Sequence, residues 1–241
     1  MDKPKYTAVI TTTLSRYDIV KITLEGLLSQ SSPPTSILVN VDVKPGSMAW
    51  PNVPVADVRI QYMFNRSSSL LKRQHELSDQ ALCMLPEETV VLLMDDDYTS
   101  PSTNAMSHLL SFQAQGFDFV FPERVSLSES RIINVIGDEC GHHPWCGHPK
   151  IFTIKTYLSL GGLDWPSFPH YGWCDTDIWY KFKKAGLKFH AVSCELSPWT
   201  TTQDVQKPAY SAFLERNAVE FRLRWGNSDQ MEPIHDKMTK R

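Results

Sequence analysis

Apolar residues along this chain come in short dense runs separated by longer mixed stretches. Tyr6 to Thr12 predicts a first strand. After it, Ser15 and Asp18 have the spacing of a capping box, and Ile19, Ile22 and Gly26 lie along one helical face. "SILVNVD" predicts a second strand ending near Asp42, broken afterwards by Pro45-Gly46. "VRIQYMF" predicts a third, and "SSSLLKRQHELSDQALCML" a helix capped near Ser69. Val90 to Met94 is a β-branched-rich run, the mark of a strand covered on both faces. Ser100-Pro101 then has the look of a helix start, with Met106, Leu109 and Leu110 at helical spacing and a stop near Gly116. "FDFVFPE" predicts a fifth strand. The stretch from about 124 to 176 is less regular and rich in Gly, Pro, His and Trp. "CDTDIWYKFKKAG" returns to helical spacing through Ile178, Phe182 and Ala185. "LERNAVEFRLRW" does so through Leu214, Ala218, Phe221 and Trp225. Strands alternating with helices predict an α/β chain, with a mostly parallel central sheet and helices on both faces.

Composition narrows this picture. The 241 residues, 41% hydrophobic and 21% charged, suit one domain with a substantial core. A net charge of −3 argues against a broad grip on nucleic acid. No run approaches a membrane span, "MDKPKYTAVITTT" has no signal-peptide core, and the five cysteines form no C-x-x-C pair. A cytoplasmic, reduced setting is expected.

The run at Val90 drives straight into Asp95, Asp96 and Asp97. Three like charges at the carboxyl end of a buried strand stand where ligands bind in open α/β sheets. Alternation puts Asp95 and Asp97 on one side and Asp96 on the other. Oxygen ligands so arranged suit Mg²⁺ or Mn²⁺ and a substrate's phosphates; the plainer alternative is a solvated acidic turn. Asp42 ends an earlier strand and could accept hydrogen bonds from a base or a ribose, or simply form a turn. Arg73, with Lys72 beside it, lies on the helix between these strand ends, where a cation could meet phosphates.

A second unusual stretch is "GGLDWPSFPHYGWCDTDIWYKF". Asp175 and Asp177 open a helix, where the macrodipole favours negative charge. Trp165, Phe168, His170, Tyr171 and Trp173 crowd the approach. Rings of this kind stack on flat sugar or base faces, and a carboxylate among them is a natural general base for a hydroxyl. Trp165, Tyr171, Trp173 and Asp177 are the candidate acceptor contacts. Lys181, Lys183, Lys184 and Lys188 form a basic strip just beyond, either a guide for a polyanion or a solvated face. Cys140, His142, Cys146 and His148 in "CGHHPWCGH" are of zinc-ligand type, but their spacing matches neither ribbon nor finger.

In this order the motifs resemble GT-A fold glycosyltransferases of the inverting family 2 type, over about residues 6 to 226. Asp42 matches the family's nucleotide-binding aspartate and Arg73 the arginine of its Ala-Arg-Asn element, with Gln74 in place of Asn. Asp95 to Asp97 match its D-x-D. Gly161, Gly162, Asp164, Gly172, Asp175, Asp177 and Trp179 match its Gly-Gly-Phe-Asp and Tyr-Gly-Glu-Asp-x-Asp-Leu-Trp elements. Cys174 replaces the usual Glu, and no His follows "LKFHAVSCEL" at the customary third-ligand place. The resemblance implies a single Rossmann-like GT-A domain, with a nucleotide-sugar-binding half over about 1–123 and an acceptor half over about 124–241. It implies a hexosyl- or pentosyltransferase using a nucleotide-diphosphate sugar, with a UDP-sugar foremost. Asp97 would hold Mn²⁺ or Mg²⁺, and Asp95 would share the metal. Asp95 or Asp96 would meet the ribose or act through water. Asp175 would deprotonate the hydroxyl of a glycan or small-molecule acceptor, with a nucleic-acid base as the lesser possibility. Three other classes compete: a non-catalytic nucleotide-sugar binder of the same fold; a haloacid-dehalogenase-like phosphatase, whose D-x-D-x-T motif "DDDYT" also fits; and a nucleotidyltransferase, which also uses strand-end aspartates but for which no Gly-rich triphosphate loop stands near the N-terminus.

Overall fold

Parallel strands ending at one edge set the plan. The computed structural model describes residues 5–43, 46, 49–65, 73–100, 102–128, 131–135, 149–168, 174–193, 199–201 and 211–226. The first half alternates: β1 (Thr7–Thr13), α1 (Tyr17–Leu28), β2 (Ser36–Asp42), β3 (Ile60–Asn65), α2 (Arg73–Cys83), β4 (Val90–Asp95). A two-residue strand β5 (Tyr98–Thr99), α3 (Ala105–Gln113) and β6 (Phe119–Pro122) follow. The second half adds β7 (Arg124–Ser128), β8 (Arg131–Asn134), β9 (Lys150–Thr153) and α4 (Ile154–Ser159). It closes with α5 (Cys174–Lys184), β10 (Phe189–Val192), β11 (Trp199–Thr201) and α6 (Ser211–Trp225).

The main sheet has seven strands in the order β10-β6-β9-β4-β1-β2-β3. All pairings are parallel except those of β9, which runs antiparallel between β4 and β6. The chain steps outward from β1 through β2 to β3, then returns to lay β4 on the other side of β1. That reversal makes a crevice at the carboxyl ends of β1 and β4, the usual ligand position in such sheets. A smaller sheet, β5-β11-β7-β8, lies after the acidic turn. Its strands β7 and β8, with β9 of the main sheet, fall in the stretch that carries weak sequence periodicity.

The predicted apolar runs form the core: Val91, Leu92 and Ile10 are fully buried, and Met94 nearly so. Helix α5 is keyed to the sheet by rings, with Phe182 5.0 Å from Phe119 and stacked 5.2 Å from Trp179. Three local expectations are corrected. Helix α1 starts at Tyr17 without a side-chain cap, and Ser15 bonds Thr13 at 3.0 Å, so no capping box forms. Its buried face is Val20, Thr23, Leu24 and Leu27, while Ile22 is half exposed. Helix α3 begins at Ala105 after Asn104, four residues beyond Pro101, because the chain first spends Tyr98 and Thr99 on β5. No helix among the described residues is long and apolar enough to cross a membrane.

Candidate active site

Strand β1 supplies three threonines at the crevice. Register pairs Thr11 with Asp95 and Thr13 with Asp42, which brings the predicted aspartates of β4 and β2 to one sheet edge. Asp42 is 5% exposed, and Asn65 of β3 stands beside it in register.

The three consecutive aspartates have three environments. Asp95 ends β4. Burial lifts its carboxyl to about 7; the charge of Asp97 adds to this, Lys150 opposes it, and Asp96 and Asp175 contribute further. Asp96 is buried and occupied. Its carboxylate accepts bonds from Thr12 and from Arg16, with Arg16 Nε at 2.7 Å and Nη2 at 2.6 Å, a two-pronged grip. Its backbone carbonyl accepts from Thr23 Oγ1 at 2.6 Å, which explains the buried threonine on α1. Burial raises the Asp96 carboxyl, opposed by the bonds from Arg16 and Thr12. Asp97 Oδ2 lies 3.0 Å from Arg16 Nη2. The expected division, with Asp95 and Asp97 on one side and Asp96 on the other, therefore gives way to an arginine that spans Asp96 and Asp97. Asp96, expected at the nucleotide, instead anchors the turn.

Asp175 sits in the first turn of α5, with its Oδ2 3.5 Å from Nε2 of His75 on α2. Its charge bears on Asp95, which brings the two acidic motifs, about eighty positions apart in sequence, into one neighbourhood. Asp177 points elsewhere. It is fully buried, and its Oδ1 accepts from Trp225 Nε1 at 2.8 Å and Arg224 Nη1 at 3.1 Å; Lys181 Nζ lies 3.0 Å from Oδ2. Oδ2 makes no hydrogen bond among the described residues, so Lys181 balances its charge, and the contacts of Oδ1 tie α6 to the start of α5. Arg224 also reaches Asp164 Oδ2 at 2.7 Å, so one arginine ties "GGLD" to "DTD". The basic strip is broken by the same contacts: Lys181 is spent on Asp177 and Lys184 covers the Trp225 ring.

Trp165 is partly buried, and its Nε1 donates to Asp79 Oδ2 at 3.3 Å. Arg73 opens α2, but its side chain lies outside the described residues, as do Lys72, Tyr171, Trp173 and the cysteine–histidine stretch 140–148. Three participants were not singled out in the sequence: Arg16, His75 and Lys150, the last only 2% exposed. A lone basic residue carries no periodic signal. Only the fold shows that each faces a carboxylate.

Asp95 and Asp97 offer hard oxygen donors, and burial first, with the charge of Asp97 second, raises the Asp95 carboxyl, both of which a divalent cation would offset. No group of three His, Cys, Asp or Glu side chains converges as a metal site among the described residues. The fit is to an ion held by one or two carboxylates together with substrate phosphates.

No protein-family model matches the chain, and no curated protein sequence does. Solved structures do. One is the mannosyltransferase PcManGT from Pyrobaculum calidifontis, in complex with GDP-Man and Mn²⁺. It shares 15% identity at a TM-score of 0.59, over 95% of this chain and 67% of that one. TarS 1-349 from S. aureus, in complex with UDP-GlcNAc, shares 14% identity at 0.59, over 93% and 67%. A 4-diphosphocytidyl-2C-methyl-D-erythritol synthase shares 10% at 0.50, over 88% and 98%. The chain has the GT-A-type, Rossmann-like fold of these glycosyltransferases.

Proposed function

We propose that this chain is a glycosyltransferase that moves a sugar from a nucleoside-diphosphate sugar to an acceptor hydroxyl. The observation that carries it is the register that brings Asp42 and Asp95 to the carboxyl ends of β2 and β4 at the switch point beside β1, with Asp175 of α5 near enough for its charge to bear on Asp95. Carboxylates for the phosphate side and a candidate base in one neighbourhood are what group transfer between two bound molecules requires.

In this reading Asp97 and Asp95 hold Mn²⁺ or Mg²⁺ against the diphosphate, and Asp42 accepts hydrogen bonds from the nucleoside. Arg73 meets the phosphates. An ion held there by Asp97 and Asp95 would supply positive charge to the departing diphosphate. Asp175 takes the acceptor's proton, and the acceptor oxygen attacks the anomeric carbon opposite the leaving group, inverting it. A single base suffices, because no sugar–protein bond forms. Trp165, Tyr171 and Trp173 flank the acceptor, a glycan or small-molecule hydroxyl, in a cytoplasmic setting. The GDP-Man and UDP-GlcNAc complexes of the similar structures support a nucleotide-sugar donor, with a UDP-sugar foremost here.

Calorimetry with UDP and other nucleoside diphosphates, in Mn²⁺ or in EDTA, tests this. Binding is expected with the metal only. Equal affinity in EDTA removes the metal role; no binding of any nucleoside diphosphate or nucleotide sugar in either condition removes the transferase reading.

A further inference from the structure

We propose that His75 is a positioning residue for the base Asp175, so that the donor-side helix α2 orients the group that activates the acceptor. This rests on the transferase reading above.

Two independent contacts aim α2 at the acceptor half. His75 Nε2 lies 3.5 Å from Asp175 Oδ2, with each side chain 21% exposed. One helical turn later Asp79 occupies the same face. Its carboxylate accepts from Tyr157 Oη and from Trp165 Nε1, and a Cβ on Gly162 would come within 2.9 Å of its Oδ1. The Asp79 contacts lock the helix to the "GG" turn, and His75 is thereby held against the first turn of α5 rather than left to sample solvent.

The chemistry follows from the imidazole. With its proton on Nε2, neutral His75 presents a donor 3.5 Å from Asp175 Oδ2 and restrains the carboxylate. The acceptor's proton moves to Oδ1, the acceptor oxygen's electron pair forms the new bond to the anomeric carbon, and the carbon–oxygen bond to the diphosphate breaks with its pair on the diphosphate. Other charged groups in the neighbourhood include Asp95 at the end of β4, Lys150 of β9, whose charge bears on Asp95, Asp79 one turn along α2, and buried Glu76 on α2, which accepts from Gln80. None of them replaces the imidazole as a donor to Oδ2, since Asp79, Asp95 and Glu76 are acids and Lys150 faces Asp95.

The test compares His75→Gln, His75→Ala and Asp175→Asn in the full chain. Gln keeps a donor near the Nε2 position and cannot titrate. Expected are a fall in kcat of about tenfold for His75→Ala, within the range of a supporting contact, and rescue toward normal kcat in His75→Gln, which keeps the donor. UDP affinity in Mn²⁺ should not change in either. Imidazole titration by NMR, with the His75 signal identified by its loss in His75→Gln, is expected to show a midpoint about one unit lower in Asp175→Asn than in the unaltered chain. An unchanged midpoint overturns the pairing, and a loss of UDP affinity in His75→Ala overturns the positioning role by making His75 a donor contact. If the unaltered chain transfers no sugar, the transferase reading fails, while the NMR comparison still decides the pair.

Discussion

Arg16 Nη2 lies 3.0 Å from Asp97 Oδ2 while the same guanidinium grips Asp96. Burial works against the arginine's charge, but the two carboxylates outweigh it and push its proton affinity up. The loop after β1 and the turn after β4 are thus joined through one side chain. Removing it strands a carboxylate that is only 3% exposed. Arg16→Ala is expected to cost about 3 kcal/mol, the low end for a broken buried pair because the arginine itself is partly exposed. Arg16→Lys should recover only part, since a point charge cannot reproduce the fork. Denaturant midpoints check both, and two wild-type midpoints would show that the grip holds nothing.

The Asp164–Arg224–Asp177 tie makes a pH prediction. Burial would raise the Asp164 carboxyl, but bonds from Arg224 and Ser167 outweigh it and hold it below the ordinary value. The unfolded chain therefore takes up this proton first. The stabilisation is present above the unfolded value, about 4, and is lost as pH falls through the folded one. Arg224→Gln is expected to lower stability by about 2 kcal/mol at pH 7, the larger part from buried Asp177. The gap to the unaltered chain should narrow below about pH 4 as Asp164 protonates. A gap independent of pH would show that the Asp164 contact adds nothing to stability.

Much of the frame was legible because strand runs such as "ILVNV" and "VVLLM" have one physical reading, burial on both faces. The acidic turn after β4 was legible for the converse reason, charge placed where burial should continue. The helix α1 face was not. Thr23 is polar by composition yet buried, since its hydroxyl finds the Asp96 carbonyl, and that partner is 73 positions away. Asp177 misled for the same reason: an acidic helix start reads as a cap or a ligand until Arg224 and Trp225 arrive from α6. Strand β9 is four residues, "KIFT", too short to show a period. The charged partners Arg16, His75 and Lys150 became visible only as neighbours.

Gly162 isolates the second motif's backbone role. Its φ is +65°, and a Cβ would sit 2.9 Å from Asp79 Oδ1 and 3.3 Å from the Tyr157 ring. Asp79 cannot swing away without losing Tyr157 and Trp165. Gly186 has the same φ and open space around it. Gly162→Ala is expected to cost about 2–3 kcal/mol, and Gly186→Ala about 1 kcal/mol, the conformational part alone. Thermal or denaturant unfolding of the two variants measures the difference. Equal losses would mean that the Asp79 contact yields without cost.

Asp175 and Asp97 should separate binding from chemistry. Asp175→Asn keeps the side chain's shape and its place in the first turn of α5, so the fold and the donor side are undisturbed. It removes only the capacity to take a proton. Transfer should fall by about 10² to 10⁴-fold, the usual worth of a general base, with UDP affinity in Mn²⁺ unchanged. Asp97→Asn acts on the donor side. It lowers the negative charge available to a divalent ion and weakens the contact with Arg16, so both donor binding and transfer should fall. The pattern matters more than either number: loss of rate with retained affinity for one variant, loss of both for the other. Near-normal turnover in Asp175→Asn would exclude it as the base. Asp177, held by Arg224, Trp225 and Lys181, is poorly placed to substitute, so the search would move to the aromatic approach between Phe168 and Cys174.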